Sequence, residues 1–282
     1  MKFEYLNRHK VKKMFPKRRK DAHKGDFGRI LLLCGCKGYT GAAALSAMGA
    51  LRVGAGLVYL AVPECIYEIE ATKLTEPIVI PLPDENGKLS RKAIDQIAPL
   101  LPQMDCVLIG PGLGQSDGTL AVLSYVLQSY QGTVILDADG INLLSAHKDL
   151  LCGRTGATIL TPHEGEFRRL SNAVDTGREQ AAIDLANELG AIVVLKGMHT
   201  VITDGRRTYI NMTGNPGMAV GGSGDVLAGM ITGLVGQGFE PLLASAAGAW
   251  IHGAAGDLCA KKFGEYSMLP SDMIAVIPQL LK

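Results

Sequence analysis

RILLLCGCKGYTGAAALSAMGALRVGAGLVYLAV, residues 29–62, decides the fold. It opens with an apolar run of strand length, RILLLCG (29–35), and continues as a Gly/Ala-rich helical stretch around 41–53. A second apolar run, GLVYLAV (56–62), closes the unit. Neither run alternates apolar with polar residues. A strand of that kind must be covered on both faces, as in a parallel sheet with crossover helices. The same reading extends to DCVLIG (105–110), TVILDAD (133–139), ATILT (157–161) and AIVVLKG (191–197). After Gly197 the pattern changes. TVIT and RRTYIN flank Asp204-Gly205, a dipeptide that favours a hairpin turn, so an antiparallel pair is expected to form one sheet edge. Helices are predicted at about 224–236, 241–262 and 271–281. The fold class is α/β: three layers, a mostly parallel central sheet with an antiparallel edge hairpin, and helices on both faces.

No internal repeat, low-complexity tract or interdomain linker interrupts this pattern. Residues 23–282 therefore read as one domain, preceded by a basic arm at 1–22. Residues 1–24 hold ten Lys/Arg against two acids, with KRRK at 17–20. The arm is read as a solvated segment, one that meets an anionic ligand or a neighbouring subunit, rather than a nucleic-acid tail. A net charge of +1 over 282 residues argues against bulk nucleic-acid or membrane binding. The N-terminus has no apolar signal core, and no run of about 18 apolar residues appears. Six cysteines without a C-x-x-C pair make a disulfide framework or zinc site improbable and fit a reducing cytoplasm.

In open α/β sheets, ligands bind beyond the carboxyl ends of the strands. The unusual polar residues of this chain cluster there. Gly110-Pro-Gly-Leu-Gly114 follows DCVLI, and Asp137, Asp139 and Asn142 follow TVIL. Thr161-Pro162-His163-Glu164 ends ATIL, with Gly165 and Glu166 opening the next helix, and Lys196-Gly197 ends AIVVL. Each has a plain structural alternative: a turn, a helix-entry cap, a satisfied histidine, a solvated lysine. Asp137 and Asp139 are either such caps or holders of a metal or of hydroxyls. His163 and Lys196 end different strands and are expected on opposite halves of one cleft.

NMTGNPGMAVGGSGDVLAG (211–229) carries the strongest chemical signal. Small residues lead to Gly-Ser-Gly-Asp at the start of an apolar helix. Bulky side chains would bar a polyanion from the backbone N–H groups there, and the helix dipole attracts negative charge. Asp225 puts one carboxylate beside that point. An anion cradle, an adjacent carboxylate and a remote lysine are the parts needed for phosphoryl transfer to a hydroxyl. The chain has neither a G-x-x-x-x-G-K-[ST] loop nor a G-x-G-x-x-G fingerprint after its first strand.

The G-x-G-D sequence resembles that of the ribokinase-like superfamily. More narrowly, the chain resembles the ADP/ATP-dependent NAD(P)H-hydrate dehydratases. The resemblance rests on HKGDFGRILLLCG (23–35), YTGAAALSAMGALRVGAGLV (39–58), IGPGLG (109–114) and LDADGINLL (136–144). It continues through LTPHEGEFRRL (160–170), LKGMHTVITDG (195–205) and NMTGNPGMAVGGSGDVLAGMITGL (211–234). Two residues depart from the family pattern: Ser223, where threonine is common, and Glu164, where proline is.

The resemblance implies repair of hydrated NADH or NADPH. The C6 hydroxyl of the S form is phosphorylated by ADP or ATP, and loss of phosphate restores the nicotinamide. It implies Asp225 as general base, with Gly222, Ser223 and Gly224 forming the anion hole with it. Lys196, Gly197, Met198, His199, Thr200 and Gly224 would contact the adenine nucleotide. Ala43, Gly112, His163 and Asp225 would line the hydrate pocket. Magnesium is expected to bridge the nucleotide phosphates, with no ligand named. A homotetramer and an upstream epimerase, separate because the chain starts almost directly at HKGDFG, complete the expectation. The competing readings are a ribokinase-like kinase of a vitamin-precursor alcohol (hydroxymethylpyrimidine or hydroxyethylthiazole type) and a non-catalytic nucleotide sensor.

Overall fold

The computed structural model describes residues 3–171 and 177–282. Its strands are β1 (Phe3–Tyr5), β2 (Arg29–Leu33), β3 (Leu57–Pro63), β4 (Ile78–Leu82), β5 (Asp84–Glu85), β6 (Lys88–Leu89), β7 (Cys106–Ile109), β8 (Thr133–Leu136), β9 (Thr158–Leu160), β10 (Ile192–Leu195), β11 (Thr200–Thr203) and β12 (Thr208–Asn211). Its helices are α1 (Arg8–Met14), α2 (Thr40–Arg52), α3 (Tyr67–Lys73), α4 (Ile94–Ile97), α5 (Asp117–Ser129), α6 (Asp139–Ser145), α7 (Glu164–Leu170), α8 (Arg178–Leu189), α9 (Ser223–Gly236), α10 (Pro241–Phe263) and α11 (Pro270–Leu280).

One sheet runs in the order β1-β12-β11-β10-β9-β8-β7-β2-β3-β4, and β5 and β6 pair separately. All neighbours in the large sheet are parallel except β10–β11 and β11–β12. The unbroken apolar runs have the expected cause. In β2, Ile30 and Leu32 enter the core beneath α2, α9, α10 and α11, while Leu31 and Leu33 enter the core beneath α5 to α8. All four are fully buried, so truncating any one to Ala would cost ~2–5 kcal/mol.

One edge differs from the sequence expectation, and the other carries a strand the sequence did not announce. The β11–β12 hairpin is antiparallel as foreseen but does not end the sheet. β1 adds outside it, parallel to β12, with Phe3 opposite Thr208 and Tyr5 opposite Ile210. At the far edge, β4 carries Pro81, which an outermost strand tolerates because one side of its ladder is unused. The basic segment is fastened to the domain. The Arg18 guanidinium lies 3.8 Å over the Phe27 ring and donates to the Gly54 carbonyl at 2.7 Å and to Gln237 Oε1 at 2.8 Å. A cation there meets the carbonyl-rich ends of α2 and α9.

The α2–α9 contact places the chemistry. A Cβ at Gly229 would stand 2.0 Å from the Ser46 carbonyl oxygen, and one at Gly49 would stand 2.6 Å from that of Val226. Glycine at both positions lets the two backbones meet directly, and this sets where the first turn of α9 emerges.

Candidate active site

The first turn of α9 lies at the carboxyl-end rim of the sheet. Gly222 precedes it at φ +96°, a left-handed conformation suited to glycine, and a Cβ there would also strike Leu45. No side chain caps α9, whereas Ser116, His163 and Glu240 cap α5, α7 and α10. Among the described residues the amides of Gly224 and Asp225 meet no acceptor, while that of Ser223 reaches the Val220 carbonyl at 3.3 Å. Two unpaired N–H groups at a helix start form an anion site by themselves.

Asp225 is half-buried beside them. Burial and then the Asp137 carboxylate push its pKa up to about 6, with Glu166 adding to the rise and Lys196 opposing it. A carboxylate in that range is matched to accepting a proton near neutrality.

Lys196, at the end of β10, turns inward. Its Nζ lies 2.7 Å from Asp137 Oδ1 and 3.9 Å from Glu166 Oε2. Burial works against its charge, but Asp137, then Glu166 and Asp225, outweigh it and hold the ammonium above its usual pKa. A Cβ at Gly224 would come within 3.2 Å of the same Nζ, so the lysine abuts the anion hole. Thr161 Oγ1 donates to Asp137 Oδ1 at 2.7 Å and fixes the acid partner. Of the two aspartates left open between capping and ligand binding, Asp137 faces the lysine. Asp139 opens α6 and accepts from the Gly114 amide at 2.9 Å, tying the Gly110–Gly114 loop to that helix.

His163 caps α7. Its Nδ1 accepts from the amides of Gly165 at 2.9 Å and Glu166 at 3.3 Å, while Glu166 Oε2 accepts from the His163 amide at 2.9 Å. A ring nitrogen that accepts two N–H groups carries no proton, so the ring hydrogen is on Nε2, which lies 3.4 Å from Glu166 Oε1. His163 and Lys196 are not on opposite halves of a cleft. β9 and β10 are parallel neighbours, the Lys196 amide donates to the Pro162 carbonyl at 2.8 Å, and Glu166 touches both residues.

Gly112, at φ +60°, brings its loop against α2, where a Cβ would stand 2.7 Å from that of Ala42. Ala43 is fully buried in the core under α2. Gly197 to His199 form the turn between β10 and β11, with Met198 81% exposed, and Thr200 begins β11. The structure thus gathers Asp225, Gly222, Ser223, Gly224 and Lys196 at one point, with His163 next to it through Glu166. Ala43 lies beneath rather than in the open cleft.

Two site residues carry almost no sequence signal. His252, inside the apolar α10, has Nε2 3.3 Å from Ser223 Oγ. Burial, with the nearby Lys196 charge, drives its pKa down to about 4, so the ring is neutral. Its isolation in an apolar helix was the available clue. Arg178, in the first turn of α8, holds the 195–198 backbone and had none.

Among the described residues no three His, Cys, Asp or Glu side chains come together as a metal cage. A magnesium ion held chiefly by nucleotide phosphates needs only one or two carboxylates, and Asp137 and Glu166 are the pair beside Lys196 able to supply them.

The NAD(P)H-hydrate dehydratase family profile matches residues 30–279. The ADP-dependent (S)-NAD(P)H-hydrate dehydratase of Cenarchaeum symbiosum is 37% identical over 279 residues, covering 96% of this chain and 94% of its own. The bifunctional NAD(P)H-hydrate repair enzyme of Moorella thermoacetica is 43% identical over 274 residues, covering 95% of this chain and 52% of its own. The chain thus spans about half the length of such bifunctional relatives. Among solved structures, a ribokinase-like superfamily protein of Enterococcus faecalis overlays with a TM-score of 0.88 at 29% identity, covering 99% of this chain and 95% of that one. The ADP/ATP-dependent NAD(P)H-hydrate dehydratase of Bacillus subtilis, co-crystallised with ATP/Mg2+, overlays at 0.86 and 29%, covering 99% and 98%.

Proposed function

The chain belongs to the NAD(P)H-hydrate dehydratase family, and from that premise we propose that it repairs the S form of hydrated NADH or NADPH with ADP or ATP. The observation that carries this reading is Asp225, a carboxylate raised to about 6 beside two unpaired amides at the start of α9. Asp225 takes the proton of the C6 hydroxyl as that oxygen bonds the terminal phosphorus, and AMP leaves from ADP, or ADP from ATP. The amides of Gly224 and Asp225 hold charge on the transferring group, with Lys196 adding positive potential. Phosphate then departs with the C6–O electrons, and loss of a ring proton restores the reduced nicotinamide. Magnesium, when bound, neutralises phosphate charge.

The nucleotide contacts Lys196–Thr200 and the hydrate contacts Gly112 and His163, the two ligands meeting where Glu166 bridges Lys196 and His163. Ala43 backs the hydrate contacts from the core, and His163 Nε2–H donates to a substrate oxygen. An epimerase supplies the S form. The free cysteines fit a cytoplasmic setting, and no described helix is long and apolar enough to cross a membrane. The exposed Tyr266 and Leu269 offer an apolar surface for a homotetramer.

The test is absorbance at the reduced-nicotinamide band with S hydrate plus ADP or ATP. Recovery of absorbance with release of AMP or ADP is expected. No recovery with the hydrate, but phosphorylation of a hydroxymethylpyrimidine or hydroxyethylthiazole supplied in its place, would instead mark a kinase of a vitamin-precursor alcohol.

A further inference from the structure

Arg178 sits at the start of α8, outside every motif named above, yet its guanidinium grips the turn between β10 and β11. It donates to the carbonyls of Met198 at 2.5 Å, Lys196 at 3.0 Å and Leu195 at 3.3 Å. Its Nε lies 2.8 Å from Glu164 Oε1, the residue directly after His163. The turn it holds is unusual. Gly197 has φ +143°, and His199, which has a side chain, sits at φ +56°. A left-handed backbone is unfavourable for a residue with a Cβ and persists only where its surroundings impose it.

We propose that Arg178 is the positioning residue of this turn, setting its backbone N–H groups to receive the anionic end of the adenine nucleotide. The proposal rests on the nucleotide assignment made above. In a trans peptide the C=O and the following N–H point opposite ways. Drawing the Leu195 carbonyl to Arg178 therefore sends the Lys196 amide the other way, where it meets the Pro162 carbonyl. By the same geometry the carbonyls of Lys196 and Met198 turn the amides of Gly197 and His199 away from the guanidinium. Among the described residues neither amide meets an acceptor. Two unpaired N–H groups turned the same way within one turn are the donor set that an anion needs. A planar fork reaches several carbonyls at once, which a lysine ammonium cannot match. Glu164 faces the fork from the start of α7 as its ion-pair partner.

The experiment is calorimetric titration of the full chain with ADP, beside hydrate KM and melting temperature, for wild type, Arg178→Ala, Arg178→Lys and Glu164→Gln. Arg178→Ala is expected to weaken ADP binding about tenfold, with hydrate KM close to wild type, and Arg178→Lys to recover only part of the loss. Glu164→Gln, which keeps the side-chain shape, is expected to weaken ADP binding about threefold and covers the case in which Arg178→Ala does not fold. Wild-type ADP affinity retained in both Arg178→Ala and Glu164→Gln overturns the inference alone. A wild-type protein that binds neither ADP nor ATP overturns the nucleotide reading as well.

Discussion

Lys196 Nζ stands 2.7 Å from Asp137 Oδ1, so the lysine that ends β10 is neutralised from inside the protein before any ligand arrives. Its charge is shared between this carboxylate, Glu166 and the anion hole at Gly224. The pair therefore tunes Asp225: Lys196 pulls that pKa down and Asp137 pushes it up.

Lys196→Met should move the acid limb of the kcat profile to higher pH than the wild-type value near 6, and weaken ADP binding more than hydrate binding. The lone buried Asp137 should also cost ~3 kcal/mol or more of stability. Adding Asp137→Asn should return the limb towards 6 and restore much of the stability. A limb unmoved in the single variant would show that Lys196 does not act on the base.

Asp225→Asn should lower kcat by about 10²–10⁴, since the amide keeps the shape but cannot take the hydroxyl proton. ADP affinity should stay the same or tighten slightly, because a negative charge leaves the phosphate site. Single-turnover rates beside ADP titration check both. Turnover above about a tenth of wild type would remove Asp225 as base.

His163 has two separable tasks. His163→Ala should lose the α7 cap, worth ~1 kcal/mol, and raise hydrate KM. His163→Asn should recover the melting temperature, because asparagine caps well, while hydrate KM stays high for want of Nε2–H. Recovery of KM by asparagine would make the residue structural only.

Folding at pH 5 moves two protons in opposite senses. Asp225, raised from 3.8 to about 6, binds a proton on folding, so its contribution to stability falls as pH rises through that window. His252, lowered from 6.5 to about 4, stays neutral where the unfolded ring is charged, so its contribution is lost as pH falls. In the wild type the two slopes oppose each other. Asp225→Asn should expose the histidine slope, up to ~1.4 kcal/mol lost per unit of acidification between 6 and 4. His252→Gln should show stability rising over the same interval, less steeply because Asp225 is partly solvated. Parallel slopes in the two variants, from denaturant titrations at each pH, would refute the assignment.

Initial rates at saturating nucleotide should be at least as high with ADP as with ATP. The relative from Cenarchaeum symbiosum is ADP-dependent, and the Bacillus subtilis neighbour is described for both. A strong ATP preference would reverse the choice of donor and leave the reaction class intact.

The parallel core and the GSGD turn are legible in the sequence because each follows from a local rule: strands buried on both faces are wholly apolar, and a phosphate-accessible helix start lacks bulk. β4 is hidden by Pro81, which reads as a breaker until the strand is known to be outermost. β1 is three residues among lysines and gains meaning only from β12. Partners far apart in the chain are the other gap. Nothing near Arg178 announces the 195–198 carbonyls, and His252 meets Ser223 only because α9 and α10 pack side by side.

The pairing of Phe3 with Thr208 joins positions more than two hundred residues apart. During synthesis β1 leaves the ribosome about two hundred residues ahead of its partner β12, so this rung closes late and at high loop-closure cost. Until then the β12 backbone edge is open to other chains. Removing residues 1–6 should therefore leave the catalytic rim intact but lower the soluble yield, and a bulky tag fused directly before Phe3 should act in the same way.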